Sequence, residues 1–171
     1  MIPIITKQHR AEYLYSSVND IAMLGILSKA EIEELLYSNN LGRIGCSYNG
    51  KTYVVPVNYV YDGRSIIAHS TEGLKIQIMR KNPSVCFEVD HVENNKNWQS
   101  VITQGTYMEI TGERERYDAM KLFVDRMLKL KISTTAHPPE IAPDRLRNST
   151  SARPVIYRIL LLEKTGRYEK E

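Results

Sequence analysis

Two dipeptides, Asn49-Gly50 and Asp62-Gly63, restrict this chain more than anything else in it. Each lies between β-rich runs, and each carries residues that tolerate the positive φ of a tight hairpin. In "LGRIGCSYNGKTYVVPVNYVYDGRSIIAHS" (residues 41–70) they separate three extended segments, which predicts a three-stranded antiparallel meander. Hairpin connections forbid parallel crossovers among these strands, which suits an antiparallel barrel better than a doubly wound sheet. Pro56 interrupts the middle run and cannot donate to a ladder, so that strand should have a bulge or an unpaired edge.

The remaining segments fit the same class. In "SKAEIEELLYSNN", Ser28 and Glu31 have capping-box spacing, Ile32, Leu35 and Leu36 share a helical face, and Asn39 and Asn40 suit a helix end. A second helix is expected over Gly73–Lys81, with Leu74, Ile78 and Met79 toward the core and Asn82-Pro83 ending it. "SVCFEVD" (84–90), "WQSVITQGTYMEITG" (98–112) and "PVIYRILLLEKTGRY" (154–168) read as strands. Residues 113–130 read as a helix with Tyr117, Met120, Phe123, Val124, Met127 and Leu128 on its apolar stripe. The expected fold is mainly β with helices (α+β), an antiparallel barrel of about six strands. Residues 1–27 are read as an arm or short helix, and 131–154 as a long loop. There His137-Pro138-Pro139 is either a lid element or a stiff connector.

At 171 residues the chain suits one domain, 1–171, and with 42% apolar and 25% charged residues it is not a disordered composition. A net charge of +3, from 23 basic and 20 acidic residues, supplies no basic groove for nucleic acid. Tyr48, Tyr53, Tyr59 and Tyr61 could stack bases, but tyrosines are ordinary strand formers. No segment has the roughly 20 apolar residues of a membrane span, and none reads as a secretory signal. The two cysteines, Cys46 and Cys86, sit in apolar runs without metal-ligand spacing, which suits a reduced pair and a cytoplasmic location. His9, His69, His91 and His137 form no metal motif, so no metal is expected.

"AHSTEGLKIQI" (68–78) joins a strand-like run to a helix-like run. A helix N-terminus offers unsatisfied amides and partial positive charge, so this junction can hold a phosphate. Ser70 would cap the helix and donate its hydroxyl, Gly73 would remove an obstructing Cβ, and Lys75 would place a cation in the first turn. A second reading uses the same residues without a ligand: Ser70 is an ordinary N-cap, Glu72 compensates the dipole, and Lys75 points into water. His69 is open between a ligand contact and a structural role.

Taken in order, "PVNYVY", "HSTEGLK", "NPSVCFEVD" and "WQSV" resemble the pyridoxamine 5'-phosphate oxidase-like split-barrel family, and within it the nitroimidazole-resistance branch. The likeness runs from Leu41 to Glu113, with an echo in "YRILLLEKTGR". It implies an FMN-binding split β-barrel that forms a homodimer with FMN at the subunit interface. Val55, Pro56, Val57, Asn58 and Tyr59 would line the flavin ring, while His69, Ser70, Gly73 and Lys75 would hold the phosphate and ribityl end. Ser100 and Val101 would approach the cofactor, and Trp98 would cover an aromatic ring or pack in the core or dimer interface. The true oxidases end in a Trp- and Arg-bearing segment, whereas this chain ends "TGRYEKE" with Trp98 its sole tryptophan. Oxidation of pyridoxamine phosphate is therefore not expected. The implied activity is that of an FMN-dependent reductase passing electrons from a reduced nicotinamide to a small electron-poor substrate such as a nitroaromatic. The alternative is a non-catalytic flavin- or haem-binding protein for storage or sensing, with His69, His91 or His137 on the iron.

Overall fold

The computed structural model describes residues 23–129 and 154–171. Most of the expected arm (1–27) and of the expected loop (131–154), His137 included, lies outside them. The strands are β1 (Met23–Ile26), β2 (Leu41–Tyr48), β3 (Lys51–Asn58), β4 (Val60–Tyr61), β5 (Ser65–Ser70), β6 (Ser84–Asn94), β7 (Asn97–Glu109) and β8 (Val155–Lys170). The helices are α1 (Lys29–Ser38), α2 (Leu74–Lys81) and α3 (Glu113–Lys129).

Local chemistry explains the first half of the chain. At α1 the capping box forms as spaced: Ser28 N donates to Glu31 Oε2 at 2.7 Å, and Glu31 N donates to Ser28 Oγ at 3.3 Å. Ile32, Leu35 and Leu36 are the helix's buried residues, and Asn39 Nδ2 donates to Leu35 O at 2.9 Å where it ends. Asn49 (φ 50°) and Gly50 (φ 73°) close the β2–β3 hairpin, whose register runs from Tyr48↔Lys51 to Leu41↔Asn58. Positive φ at both loop residues matches the strand twist.

The meander does not extend further. Tyr59 N donates to Asn40 O at 2.9 Å, and the Tyr59 hydroxyl donates to Leu36 O at 3.0 Å. Both acceptors lie at or just beyond the C-terminal end of α1. They divert the chain after Asn58, so the expected middle strand is two strands, β3 and β4. The second hairpin survives, with Asp62 Oδ1 accepting from Arg64 N (2.9 Å) and Ser65 N (2.6 Å) and Gly63 at φ 93°. It joins β4 to β5 at the opposite end of the sheet.

The single antiparallel sheet has the order β3-β2-β6-β7-β8-β5-β4, with β1 also on β8. One edge of β8 pairs with β7 along most of its length. The other is shared, β5 taking Val155–Leu160 and β1 taking Arg167–Lys170. Among the described residues the sheet is not closed, and it has eight strands where about six were expected; β1 and β4 are the additions.

Alternation along β2, β6 and β7 sends Ile44, Cys46, Phe87, Val89 and Val101 inward, where Leu36 of α1 and Ile76 and Met79 of α2 complete the main core. A second cluster forms across β5 and β8, where Ile67 and Ile156 meet Ala119, Phe123 and Met127 of α3. The buried stripe of α3 is thus narrower than its sequence suggested, since Tyr117 and Leu128 are exposed. In α2, Leu74 is likewise exposed, and Ile76 fills the place expected of it.

Tyr157 is fully buried, and its hydroxyl has no hydrogen-bond partner among the described residues. Burial pushes its pKa well above the ordinary phenol value. Leaving such a group unsatisfied costs about 1–3 kcal/mol. Tyr157→Phe should therefore stabilise the protein, raising Tm by about 2–4 °C per kcal/mol for a chain of this size. Thermal unfolding checks this, and a lowered Tm would mean that the hydroxyl is satisfied after all.

Candidate functional site

The strand-to-helix junction differs in detail from the sequence expectation. Thr71 and Glu72 intervene after β5, so the N-cap is Gly73, with no side-chain cap, and not Ser70. The Ser70 hydroxyl donates instead to Thr71 O at 2.8 Å. Gly73 has an extended backbone, φ −175°, and a Cβ built there would meet nothing within 4 Å. The approach to the first amides of α2 is therefore open.

Glu72 does not cap the helix either. Its Oε1 accepts from Arg80 Nη1 at 2.5 Å. Lys75, the second residue of α2, is half-buried. It has no hydrogen-bond or ion-pair partner among the described residues. Burial holds its pKa below the usual lysine value, opposed only by the neighbouring Cys46 thiol, which burial itself pushes up. The site thus gathers a desolvated cation and an uncapped positive helix end, two unfavourable features that one bound anion would relieve. These residues fit a phosphate.

The other expected contacts divide between the two faces of their strands. His69 packs its ring edge-on against Phe123 at 4.8 Å, on the α3 side of β5, whereas its neighbour Ala68 faces the main core. Ser70, Gly73 and Lys75 share the junction; the His69 side chain points to a different face. Val57, Tyr59 and Val101 are buried and Val55 packs half-buried on the core, so they could meet a ligand chiefly through backbone. Pro56, Asn58 and Ser100 lie on the outer face, where the Ser100 hydroxyl donates to Glu88 Oε1 at 3.2 Å. The second edge of β3 pairs with no strand among the described residues, as Pro56 suggested. Trp98 is half-buried, and its Nε1 donates to Glu169 Oε2 at 2.8 Å.

Sequence reasoning missed the outer face as a surface. Register places Pro56, Arg43, Glu88, Ile102 and Thr165 in one row, and Val54, Gly45, Cys86, Gln104 and Glu163 in the next. Arg43 Nη1 bridges Asp90 (2.8 Å) and Glu88 (2.9 Å), hydrogen bonds that raise its pKa. Beside it, where Gly45 contributes no side chain, lies an open depression of about 510 Å³. Leu41, Val54, Val92 and Ile102 are exposed on this face, joined by Leu24 and Ile26 of β1. Apolar residues at adjacent positions, as in "YVVPV", were the available signal, because such a strand is apolar on both faces.

An open antiparallel sheet of this order, its long last strand shared between two partners, is a split barrel. The chain belongs to the pyridoxamine 5'-phosphate oxidase family, which it matches over residues 28–167. An uncharacterised protein of Rhizobium meliloti (strain 1021) is 31% identical over 85 residues, 50% of this chain and 56% of that protein, so the chain spans about half of this curated relative. A FAD-binding protein from Mesorhizobium loti has a TM-score of 0.67 and 28% identity, covering 88% of this chain and 99% of the other. A candidate 5-nitroimidazole antibiotic resistance protein from Bacteroides thetaiotaomicron has a TM-score of 0.64 and 21% identity, covering 86% of this chain and 89% of the other, and shows the fold alone. No helix among the described residues is long and apolar enough to cross a membrane.

Proposed function

We propose that the protein is a homodimeric, FMN-dependent reductase that takes electrons from a reduced nicotinamide and delivers them to a small, planar, electron-poor substrate such as a nitroaromatic. The observation that carries the flavin reading is Lys75, a half-buried cation without a hydrogen-bond or ion-pair partner among the described residues, set in the first turn of a helix with no side-chain cap. Family membership and a relative described as FAD-binding support it. FMN and FAD both bring a phosphate ester that this corner can hold.

When bound, a flavin would supply the two-electron chemistry: the dihydronicotinamide gives up a hydride, and the acceptor gains two electrons and two protons, the second proton coming from water. This chain contributes position and environment. Lys75 and the α2 amides neutralise and orient the phosphate. Backbone donors around Val57 and Asn58, on the strand with an unpaired edge, would be the groups to stabilise negative charge on a reduced ring. The exposed apolar residues of the outer face suit a second copy of the chain, which would cover them and exclude water. Cys46 and Cys86 are both free thiols, in keeping with a cytoplasmic setting.

Protein loaded with FMN and desalted should stay yellow, bleach anaerobically with NADH or NADPH, and recover its colour when a nitroaromatic is added. Retained colour without nicotinamide-driven bleaching favours flavin storage or sensing. Loss of the flavin on desalting overturns the cofactor assignment.

A further inference from the structure

Glu72 stands immediately before the N-cap of α2, where a carboxylate can compete with any other anion for the helix amides. It is drawn away by the far end of the same helix. Arg80 is the seventh of the eight residues of α2, roughly 9 Å along the axis from Leu74 at 1.5 Å of rise per residue. Its Nη1 donates to Glu72 Oε1 at 2.5 Å. Arg80 is itself anchored, because Nε donates to Glu109 Oε1 at 2.5 Å and Nη2 to Glu109 Oε2 at 3.2 Å. The Tyr107 hydroxyl holds the same carboxylate at 2.9 Å. Side chains of Arg80 and Glu72 are 42% and 46% exposed, and pairs this exposed contribute little to folding. The electrostatic consequence at the helix start is the larger effect.

We propose that Arg80 is a positioning residue, which holds the Glu72 carboxylate back from the N-terminus of α2 and so keeps that end of the helix receptive to the cofactor phosphate. This rests on the phosphate reading above. The relay Tyr107–Glu109–Arg80–Glu72 sets the local field of the site without touching the ligand.

The test compares FMN and riboflavin binding in the parent protein, Arg80→Met, Glu72→Gln and the double variant. Arg80→Met should weaken FMN binding about fivefold, the effect of one charge at a helix end, and leave riboflavin binding unchanged. Glu72→Gln alone should leave FMN binding equal or slightly tighter. In the double variant FMN affinity should return to within about twofold of the parent, since no carboxylate remains to be released. A double variant as weak as Arg80→Met, or a Glu72→Gln variant that weakens FMN binding, means that the relay merely staples the helix and overturns the inference alone. Equal affinity of the parent protein for FMN and riboflavin overturns the phosphate reading, and this inference with it.

Discussion

Replacing Lys75 by Met should lower the affinity for FMN about a hundredfold and leave that for riboflavin within about threefold of the parent protein. The two ligands differ only in the phosphate, so their ratio isolates the interaction in question. Hydrogen bonds to charged groups contribute about 1.5–3 kcal/mol, the upper part of which corresponds to this factor. Lys75 belongs in that upper part because burial already disfavours its charge, as the direction of its pKa shift records. Removing the charge should leave α2 in place, since Ile76 and Met79 carry the helix's buried contacts. Titration of flavin fluorescence with each ligand measures the ratio, and parallel losses for both would remove Lys75 from the phosphate site.

Ile102→Asp should turn the proposed flavin-bearing dimer into a flavin-free monomer. Ile102 lies in the central row of the outer face, between Glu88 of β6 and Thr165 of β8. It is 46% exposed in the single chain, so a carboxylate there stays hydrated in the monomer and costs the fold little. In a dimer the same carboxylate would be buried next to Glu88, where Arg43 already bridges two carboxylates and Arg167, paired with Ser100 one row away, is the other cation of this face. Burying a carboxylate beside Glu88 that Arg167 does not neutralise costs about 3 kcal/mol or more, which weakens the dimer at least roughly a hundredfold. Sedimentation at micromolar concentration and flavin retention after desalting read the two effects. An unchanged dimer would place the interface elsewhere.

How much could be read from the sequence follows from the range of the interactions involved. The capping box at Ser28 and Glu31 and the turn at Asn49-Gly50 depend on residues a few positions apart, and both formed as their spacing indicated. The order of the strands did not follow from spacing. Tyr59 breaks the middle run because it bonds to Leu36 O and Asn40 O, acceptors some twenty residues earlier whose availability depends on where α1 ends. The shared edge of β8 is a similar case, since β5 and β1 lie far from it in the chain.

The junction was legible as to which residues meet there, but not as to which of them caps the helix. Local preference favours Ser70 as N-cap, and two residues of turn moved the helix start to Gly73. Whether Lys75 is buried, and whether Glu72 is engaged by Arg80 and Arg80 by Glu109, depends on packing of α2 against the sheet. The outer face escaped notice because an apolar residue facing solvent looks the same in sequence as one facing the core. Only register separates Val54 from Val55, one exposed and the other packed on the core.

A crystal structure of the flavin-loaded protein tests the phosphate site most directly. A phosphate oxygen within about 3 Å of Lys75 Nζ, with others facing the first amides of α2, is the expected arrangement. A flavin whose phosphate lies elsewhere, with Lys75 Nζ turned to solvent, would contradict it.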